Sequence, residues 1–551
     1  MKILHYSKLA AAALVLLTAP SCKDLLDEQV ISQVGSEYIN SAAGFDAATQ
    51  AVYASLRDYY GRESAMTMSV FGTDTYTMGS DGSYKFVNQY TAQLDARTGY
   101  INDIWNAFYI GINTANAVID QAPNVTGIDD KTKKRRVAEV KFLRAHHYFI
   151  LTQMFGAVPL VLAQSTTANK EASRTPVPEV YAAIIKDLQE ALPDLAATTT
   201  TDYGRVTPGA CEHLLARVYL TKATSEAAAA DDYAKAATYA QNVIKNYSYK
   251  LLPDFASVFT QGAGEINDEV ILATQYTSDP TTNGPGNETH ILFLMEYDVQ
   301  AGMKRDIVNG RPYKRFRPTP YTLNTVFADR TNDSRYQKFF KSTFFSNNPG
   351  TYSNVFDNSK KSVKYQLGDT AIYLPGVEWS LAKRTSKPYQ VLVPSLYSAR
   401  LYPSLTKFLD PLRPDLTYLA GSRDFIMFRL AETYLIAAEA LLKTGKPAEA
   451  LPYINAVRRR AAFADKQAAM EITVNQLTME FIMEERAREL LGEMFRWFDL
   501  KRWGVLVERV KLYNPDGAPN IKPYHVLRPI PQNQIDRTAG GVASFPQNPG
   551  Y

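Results

Sequence analysis

The segment 425–462 carries the clearest pattern of apolar and polar positions in the chain, because its apolar residues recur every three to four positions. This spacing predicts a hairpin of two helices. The apolar face of the first helix comprises Phe428, Leu430, Tyr434, Leu435, Ala438, Leu441 and Leu442. Residues 444–447 end the pattern with a glycine suited to a helix C-terminus and a proline suited to a helix start. Small Ala438 and Ala450 favour the close helix approach of tetratricopeptide-type repeats, and such a hairpin needs others to bury its apolar face.

The same periodicity predicts helices in most of the remaining chain. These segments are 45–60, 101–121, 137–155, 178–195, 207–222, 233–245 and 475–504. We expect 101–121 to pair with 137–155. Thr207 is suited to cap its helix, with Pro208 at the first helical position. The predicted fold is therefore mainly α, a tetratricopeptide-like helical repeat scaffold.

Two stretches break the helical pattern. Residues 70–100 are rich in Gly, Asp, Thr and Tyr and are predicted to form a loop, while residues 271–420 hold 12 of the 29 prolines. We predict that residues 22–551 form one compact body with three regions. The first is a helical region, 22–250, which contains a candidate ligand loop at 70–100. The second is an irregular insertion of loops and short strands, 251–424, and the third is a C-terminal helical region with an extended tail, 425–551. Such an insertion in a rigid scaffold is typical of a binding surface.

The amino-acid composition excludes some classes of function for this protein. The chain has 551 residues, of which 46% are apolar and 21% charged, and a net charge of +4 argues against a nucleic-acid binder. It contains 35 Tyr and 25 Phe but only 4 Trp. This is more tyrosine than a core alone requires, so part of the aromatic surface is expected to face water. The basic run Arg311, Lys314, Arg315 and Arg317 is interpreted either as a solvated face or as a contact for an anionic partner.

The N-terminus has the pattern of a lipoprotein signal peptide, predicted over 1–21. Lys2 and Lys8 precede an apolar run, residues 9–17, that is too short to span a bilayer, and small residues precede Cys22. This resembles a lipobox, in which the cysteine thiol is acylated; plain secretory cleavage is the alternative. The acidic segment 23–28 resembles an export tag of surface lipoproteins, or is a solvated tether. No internal disulfide is expected for Cys211.

Motifs of catalysis are missing from the sequence. It contains no Gly-x-Ser-x-Gly elbow, P-loop, dinucleotide fingerprint or His-Glu-x-x-His, and its histidines show no metal-ligand spacing. His147 and Cys211 are predicted to be core residues. Glu484 and Glu485 are conceivable as a glycosidase acid and base, but neighbouring arginines favour structural ion pairs. Arg496, Asp499 and Arg502 are interpreted as a buried scaffold network.

Four motifs together resemble the SusD/RagB family of Bacteroidetes lipoproteins over the whole chain. They are residues 138–145 with 155–160; the helix 429–440; Glu485-Arg486 and Glu489-Leu490 with Arg496, Trp497, Asp499, Leu500, Arg502 and Trp503; and Ile530-Pro531 with 547–549. Glu493-Met494 departs from the usual Glu-Gly. The resemblance implies a tetratricopeptide scaffold with an irregular ligand-binding face that closes over a SusC-like TonB-dependent transporter, usually for oligosaccharides and in some members for peptides.

Candidate ligand contacts are the aromatic and polar residues of the two irregular stretches, since flat rings stack on sugar faces while polar groups bind hydroxyls. In the first stretch they are Asp74, Tyr76, Asp81, Tyr84, Asn88 and Tyr90; in the insertion they are Tyr297, Tyr313, Phe316, Tyr373 and Trp379. Trp379 is the strongest single candidate, as the tryptophan outside the predicted helices.

The leading hypothesis is a surface-exposed, outer-membrane lipoprotein that captures oligosaccharide for a partner SusC-like transporter. It predicts no catalytic residue, no cofactor and no metal. Three alternatives stay open: a peptide-binding member of the same family, an all-α glycosidase or lyase, and a tetratricopeptide adaptor. The adaptor is disfavoured because it has no need of a large aromatic insertion.

Overall fold

A computed structural model describes residues 36–167, 170–197, 202–353 and 362–551. The predicted signal peptide 1–21, the lipidation residue Cys22 and the acidic segment 23–28 lie outside the described residues. Within these ranges, no helix combines the length and apolar character that crossing a bilayer requires.

Helices dominate the architecture, and every segment predicted to be helical contains one. The longer helices are Ala42–Ala54, Gly99–Gln121, Asp130–Phe155, Val177–Ala191, Pro208–Lys222, Asp232–Asn246, Leu430–Lys443, Pro447–Ala461 and Met479–Glu489. The shorter ones are Ser36–Ile39, Glu63–Ser69, Lys85–Gln89, Thr289–Leu292, Arg335–Phe339, Leu381–Thr385, Gln467–Met470, Arg496–Arg502, Leu506–Tyr513 and Gln532–Arg537. The predicted cap is confirmed, since the Thr207 side chain accepts a hydrogen bond from the Ala210 amide at 3.0 Å.

The long helices pack side by side in a row of antiparallel hairpins. The row runs 99–121, 130–155, 177–191, 208–222, 232–246, 430–443 and 447–461, each helix packing on the next. The predicted pairing of the first two is confirmed. Because helix 232–246 packs directly on helix 430–443, the insertion leaves and re-enters the scaffold between neighbouring helices. It can therefore build its own surface without interrupting the stacked core.

The residues before the central hairpin form a strand. Phe425–Arg429 pairs with Val270–Thr274 in an antiparallel sheet, and the helix begins only at Leu430. The prediction that Phe428 lies on a helix face is therefore wrong. Phe428 is fully buried in the strand, where its backbone is paired across the sheet. This sheet joins the two ends of the insertion.

The insertion consists mainly of the predicted loops and short strands, and it also contains three of the short helices, Thr289–Leu292, Arg335–Phe339 and Leu381–Thr385. Its other strands are Phe316–Pro318, Phe340–Lys341, Thr343–Phe345, Gly350–Ser353, Ser362–Tyr365, Thr370–Tyr373, Gln390–Val391 and Ser404–Leu405, while Tyr76–Met78 comes from the N-terminal region. The pairs are antiparallel, apart from 370–373 with 390–391. Part of the insertion has a core of its own, made of Met295, Tyr297, Phe344, Ile372, Leu392 and Tyr402 among others. This core fixes the loops around it.

Buried ion pairs join the insertion to the C-terminal helices. Glu485 and Glu489 are fully buried, and both accept hydrogen bonds from Arg335, at 2.7 and 3.0 Å. Their other partners are Arg458 and Arg488 for Glu485, and Arg429 and Arg460 for Glu489. Charges removed from water require such partners, so this motif stabilises the scaffold. The predicted structural role of Glu484 and Glu485 is confirmed.

A tight turn divides the predicted helix 475–504 into Met479–Glu489 and Arg496–Arg502. Gly492 and Met494 both have left-handed backbones, with φ of +79° and +67°. A residue with a side chain is uncommon there, which gives a physical reason for a glycine at position 494 in the family pattern. Met494 is nonetheless buried, and its side chain packs in the core.

Candidate binding site

Asp74, a predicted ligand contact, lies in the interior. Its carboxylate is fully buried and accepts hydrogen bonds from Arg496 Nε at 2.7 Å and Arg509 Nε at 3.0 Å. Burial raises the pKa of Asp74, but the two guanidinium groups outweigh it and lower the pKa below its usual value. Asp74 is therefore an ionised structural partner of the C-terminal helices. The predicted scaffold role of Arg496 is confirmed, as it is for Asp499 and Arg502, which pair with each other at 2.9 Å.

Five other candidates are also buried. The amide of Asn88 accepts from Gly72 N at 3.0 Å, and the Tyr90 hydroxyl donates to Gly72 O at 2.6 Å. The Tyr297 hydroxyl donates to Gly310 O at 2.5 Å. The ring of Tyr76 meets Phe293 edge-on, and Phe316 lies in the same core. The expectation that Asp74, Tyr76, Asn88, Tyr90, Tyr297 and Phe316 face a ligand is corrected, because each is buried against other parts of the protein.

Tyr84 remains half-exposed and stacks on Tyr100. Their ring centroids are 3.6 Å apart and their planes differ by 12°. A Cβ at position 99 would lie 2.9 Å from the Tyr84 hydroxyl, so a side chain there would displace the end of the Tyr84 side chain. Tyr100 was not a candidate from the sequence. We name Tyr84, Tyr100 and Tyr313 the tyrosine cluster, because the charge of Arg315 acts on Tyr100 and its guanidinium lies 4.9 Å from the Tyr313 centroid.

The basic run beside the tyrosine cluster is neutralised by partners. Arg315 Nε contacts Glu63 at 2.7 Å and its Nη1 contacts Asp81 at 3.3 Å, so Asp81 lies at the cluster. Lys314 pairs with Glu296 at 3.2 Å. Arg311 donates a hydrogen bond to the carbonyl of Thr417, and Arg317 pairs with the carboxylate of Asp516. The run is thus neither a free anion site nor a simple solvated face. The guanidinium groups of Arg311 and Arg315 lie 5.2 and 4.9 Å from the centroid of Tyr313.

A second group of half-buried rings surrounds Trp379. Tyr373 lies 5.6 Å from Trp379, and Tyr389 lies 6.3 Å from Tyr373, measured between centroids. The ammonium of Lys383 lies 3.9 Å from the Trp379 centroid and covers one of its faces. We name Tyr373, Trp379 and Tyr389 the tryptophan cluster.

One connecting segment, 394–402, hydrogen-bonds to a residue next to Trp379 and to a residue next to Asp81, which lies at the tyrosine cluster. The amide of Ser395 donates to Glu378, next to Trp379, at 2.7 Å. The carbonyl of Ala399 accepts from Ser80, next to Asp81, at 2.8 Å. Four residues span at most about 14 Å of extended chain, so the two contacts are close together. A cavity of about 260 Å³ lies beside this segment, lined in part by Pro318, Pro394 and Tyr397.

The groups that could suggest catalysis have structural roles. Burial raises the pKa of Glu485, but Arg335, Arg458 and Arg488 together hold it well below its usual range, so Glu485 is not a proton donor. The predictions that His147 and Cys211 are core residues are confirmed. His147 stacks on Phe108, and Cys211 is fully buried. Within the described ranges, no group of three or more His, Cys, Asp or Glu is arranged to hold a metal ion.

Two protein families match the sequence. The family described as "SusD family" matches residues 268–551, and the family described as "Starch-binding associating with outer membrane" matches residues 24–220. SusD-like protein P2 of Formosa agariphila is 28% identical over 98% of each chain. The starch-binding protein SusD of Bacteroides thetaiotaomicron is 27% identical over 80% of this chain and 76% of its own length.

Solved structures share the fold. A laminarin-binding SusD-like protein superposes with a TM-score of 0.69 at 23% identity, covering 93% of this chain and all of the other. A SusD homologue from Bacteroides thetaiotaomicron superposes with a TM-score of 0.73 at 20% identity, and the match covers 94% of this chain and 98% of the homologue. The fold is thus the mainly helical SusD-like fold with small scattered sheets. SusD-family proteins are non-catalytic binding proteins. Since the match to this family extends over more than half of the sequence, the chain belongs to the SusD family.

Proposed function

We propose that this chain is a glycan-binding lipoprotein anchored to the outer membrane through acyl chains on Cys22, exposed at the cell surface. In this proposal it captures an oligosaccharide and delivers it to a SusC-like TonB-dependent transporter. Relatives described as starch-binding and laminarin-binding support a glycan as the ligand.

The observation that carries the proposal is the pair of half-exposed aromatic clusters, which segment 394–402 links through its hydrogen bonds next to Trp379 and next to Asp81. Aromatic rings offer flat apolar surface at low conformational cost, which suits the apolar face of a sugar ring. Asp81 lies beside the tyrosine cluster with about half of its side chain exposed, and its oxygens can accept hydrogen bonds from hydroxyl groups. A ligand with both apolar faces and many hydroxyls fits this combination better than a charged one, because the neighbouring cations already have partners.

Truncating Trp379 to alanine is expected to weaken oligosaccharide binding about ten- to a hundredfold. Loss of one stacking ring costs about 1–3 kcal/mol where bases stack on aromatic side chains, and we expect a similar magnitude here. The melting temperature should change little, because Trp379 is only half-buried. Calorimetric titration with a panel of oligosaccharides, together with thermal melting of each variant, measures both quantities.

Tyr453→Ala is the matched control for this experiment. Tyr453 is also a half-buried ring that contacts another tyrosine, but it lies on the scaffold hairpin against Tyr434. It should leave affinity unchanged. If Trp379→Ala keeps its affinity and melts at a much lower temperature, Trp379 is a packing residue. Binding of peptides alone would support the peptide-binding alternative, and turnover of a glycan would favour an enzyme.

Cys22→Ala is expected to release the protein from the membrane. Acyl chains on Cys22 would supply the anchor, and two lipid signals are needed for stable attachment. Cys211→Ala is the control, because Cys211 is fully buried and lies within hydrogen-bond distance of Leu188 O. Cell fractionation should find the Cys22 variant in the soluble fraction and the Cys211 variant in the membrane. Membrane retention of the Cys22 variant would contradict the anchor.

A further inference from the structure

A cavity of about 320 Å³ lies in the helical scaffold, apart from both aromatic clusters. It forms where the end of helix Asp130–Phe155 meets the start of Val177–Ala191, the end of Pro208–Lys222 and helix Arg496–Arg502. Its walls are largely apolar, with Val177, Phe498, Val526 and Leu527 among the lining residues. A cavity of this size is at the lower end of the range for small-molecule sites.

Lys501 is a lining residue with unused hydrogen-bonding capacity. Its ammonium donates to the carbonyl of Gln153. An ammonium has three N–H groups, so two remain. The neighbouring hydroxyls of Thr152 and Ser225 already donate to backbone carbonyls, at 2.9 and 2.8 Å. The cavity therefore combines apolar walls with one available strong donor.

The positive charge of Lys501 is not balanced locally. In the described part of the chain, no carboxylate oxygen lies within 4.0 Å of its ammonium. The charge that acts on it is that of another cation, Arg528, which is fully buried and directly follows the lining residues Val526 and Leu527 in the chain. Arg528 donates to Met68 O at 2.8 Å, while its Nε and Nη1 have no partner among the described residues. Two cations thus share an apolar region without a counter-charge.

The other charged lining residues do not change this picture. Arg502 is held by Glu439 and Asp499, with nitrogen–oxygen distances of 2.8 and 2.9 Å, and is unavailable to a ligand. Glu226 also lines the cavity, but it is not among the charges that act on Lys501. A charge that is partly removed from water without a counter-charge does not stabilise the fold, so the scaffold gains nothing from Lys501 in the empty cavity.

We propose that this cavity, which we name the Lys501 pocket, binds a small organic molecule with one carboxylate and an apolar body. The carboxylate accepts the free N–H groups of Lys501, and the body packs against Phe498 and Leu527. One accessible ammonium matches one negative charge, whereas a dianionic phosphate would be left partly unpaired. This site is independent of the glycan face proposed above, since the two share no lining residue.

The protonation of Lys501 gives the proposal a specific readout. Burial and then Arg528 lower the pKa of Lys501 to about 7, so at pH 7 roughly half of the molecules carry the proton. A bound carboxylate favours the charged form and raises this pKa. Binding should therefore take up about half a proton per ligand at pH 7.

The test is a ligand-observed NMR screen of small monocarboxylates, such as 3-phenylpropionate, each paired with its primary amide. The carboxylates are expected to bind at least tenfold more tightly than the amides, because a charge-assisted hydrogen bond is lost in the amide. Calorimetry of the best carboxylate in two buffers of different ionisation enthalpy then measures proton uptake. These comparisons use the unmodified protein and need no variant.

Lys501→Met should abolish both the preference for carboxylates and the proton uptake, with an unchanged or higher melting temperature. The control is Lys511→Met, at an exposed lysine on helix Leu506–Tyr513, which should behave like the parent protein. The proposal is overturned if no carboxylate is preferred over its amide. It is equally overturned if Lys501→Met binds the carboxylates as well as the parent does.

Discussion

A methionine in place of Arg429 is expected to lower the free energy of unfolding by about 3–5 kcal/mol, because it removes one partner from a buried ion-pair cluster. Arg429 is 1% exposed. Its guanidinium contacts oxygens of Glu489 and Glu493, both at 2.7 Å, and of Glu269 at 3.1 Å. Methionine keeps the apolar stem but leaves these carboxylates with less positive charge. The cost is therefore electrostatic and not a cavity.

Arg459→Met is the matched control for Arg429→Met. Arg459 pairs with Glu471 at 2.8 Å, but the two side chains are 46% and 41% exposed. Exposed pairs contribute only about 0–1 kcal/mol, so this substitution should have a small effect. Urea unfolding followed by circular dichroism at neutral pH measures both variants. Equal losses would show that burial does not decide the value of these ion pairs.

The helices could be predicted from the sequence because their signals are local. The apolar spacing, the cap at Thr207 and the break near Gly445 all lie within a few residues of the structure they determine. The strand Phe425–Arg429 was missed because its partner, Val270–Thr274, is distant in the sequence. Its apolar residues fit a helix face equally well, so local spacing did not distinguish the two.

The binding site could be predicted only in part, for the same reason. Tyr76 and Tyr84 occupy one polar stretch with no helical period, yet Tyr76 is buried and Tyr84 is half-exposed. The difference comes from the insertion, where Phe293 packs edge-on against the Tyr76 ring. Asp74 is similarly occupied by Arg496, far along the chain. Composition located the stretch, but only tertiary contacts show which side chains remain available.

Stability is expected to fall as the pH is lowered from 6.5. Burial lowers the pKa of the histidines that the structure describes, which are His146, His147, His213, His290 and His525. In the unfolded chain these rings bind protons near pH 6.5, whereas in the folded protein they stay neutral to lower pH. The unfolded state therefore binds more protons, and acid favours it.

Carboxylates add a second phase of acid destabilisation. Burial raises the pKa of Glu489, but Arg460, Arg429 and Arg335 together lower it to about 2. The ionised Glu489 therefore stabilises the folded state fully at a pH above 4.5, the pKa of a glutamate in the unfolded chain. This stabilisation is lost as the pH falls toward 2. This loss amounts to roughly 3 kcal/mol for Glu489. Since domains are typically stable by about 5–15 kcal/mol, the protein should unfold in acid before pH 2 is reached.

His147→Gln isolates the first phase. Burial lowers the pKa of His147 to about 3, and its Nε2 lies 2.8 Å from the Ser55 hydroxyl. Glutamine places an uncharged polar group near the same hydroxyl, at a cost of roughly 1–2 kcal/mol at pH 7.5. Between pH 7.5 and 5, the parent protein should lose about 2 kcal/mol from His147 that the variant retains. Urea unfolding at both pH values should therefore show the stability gap between the two proteins closing at pH 5. A gap that is the same at both pH values would mean that His147 does not titrate as its burial requires.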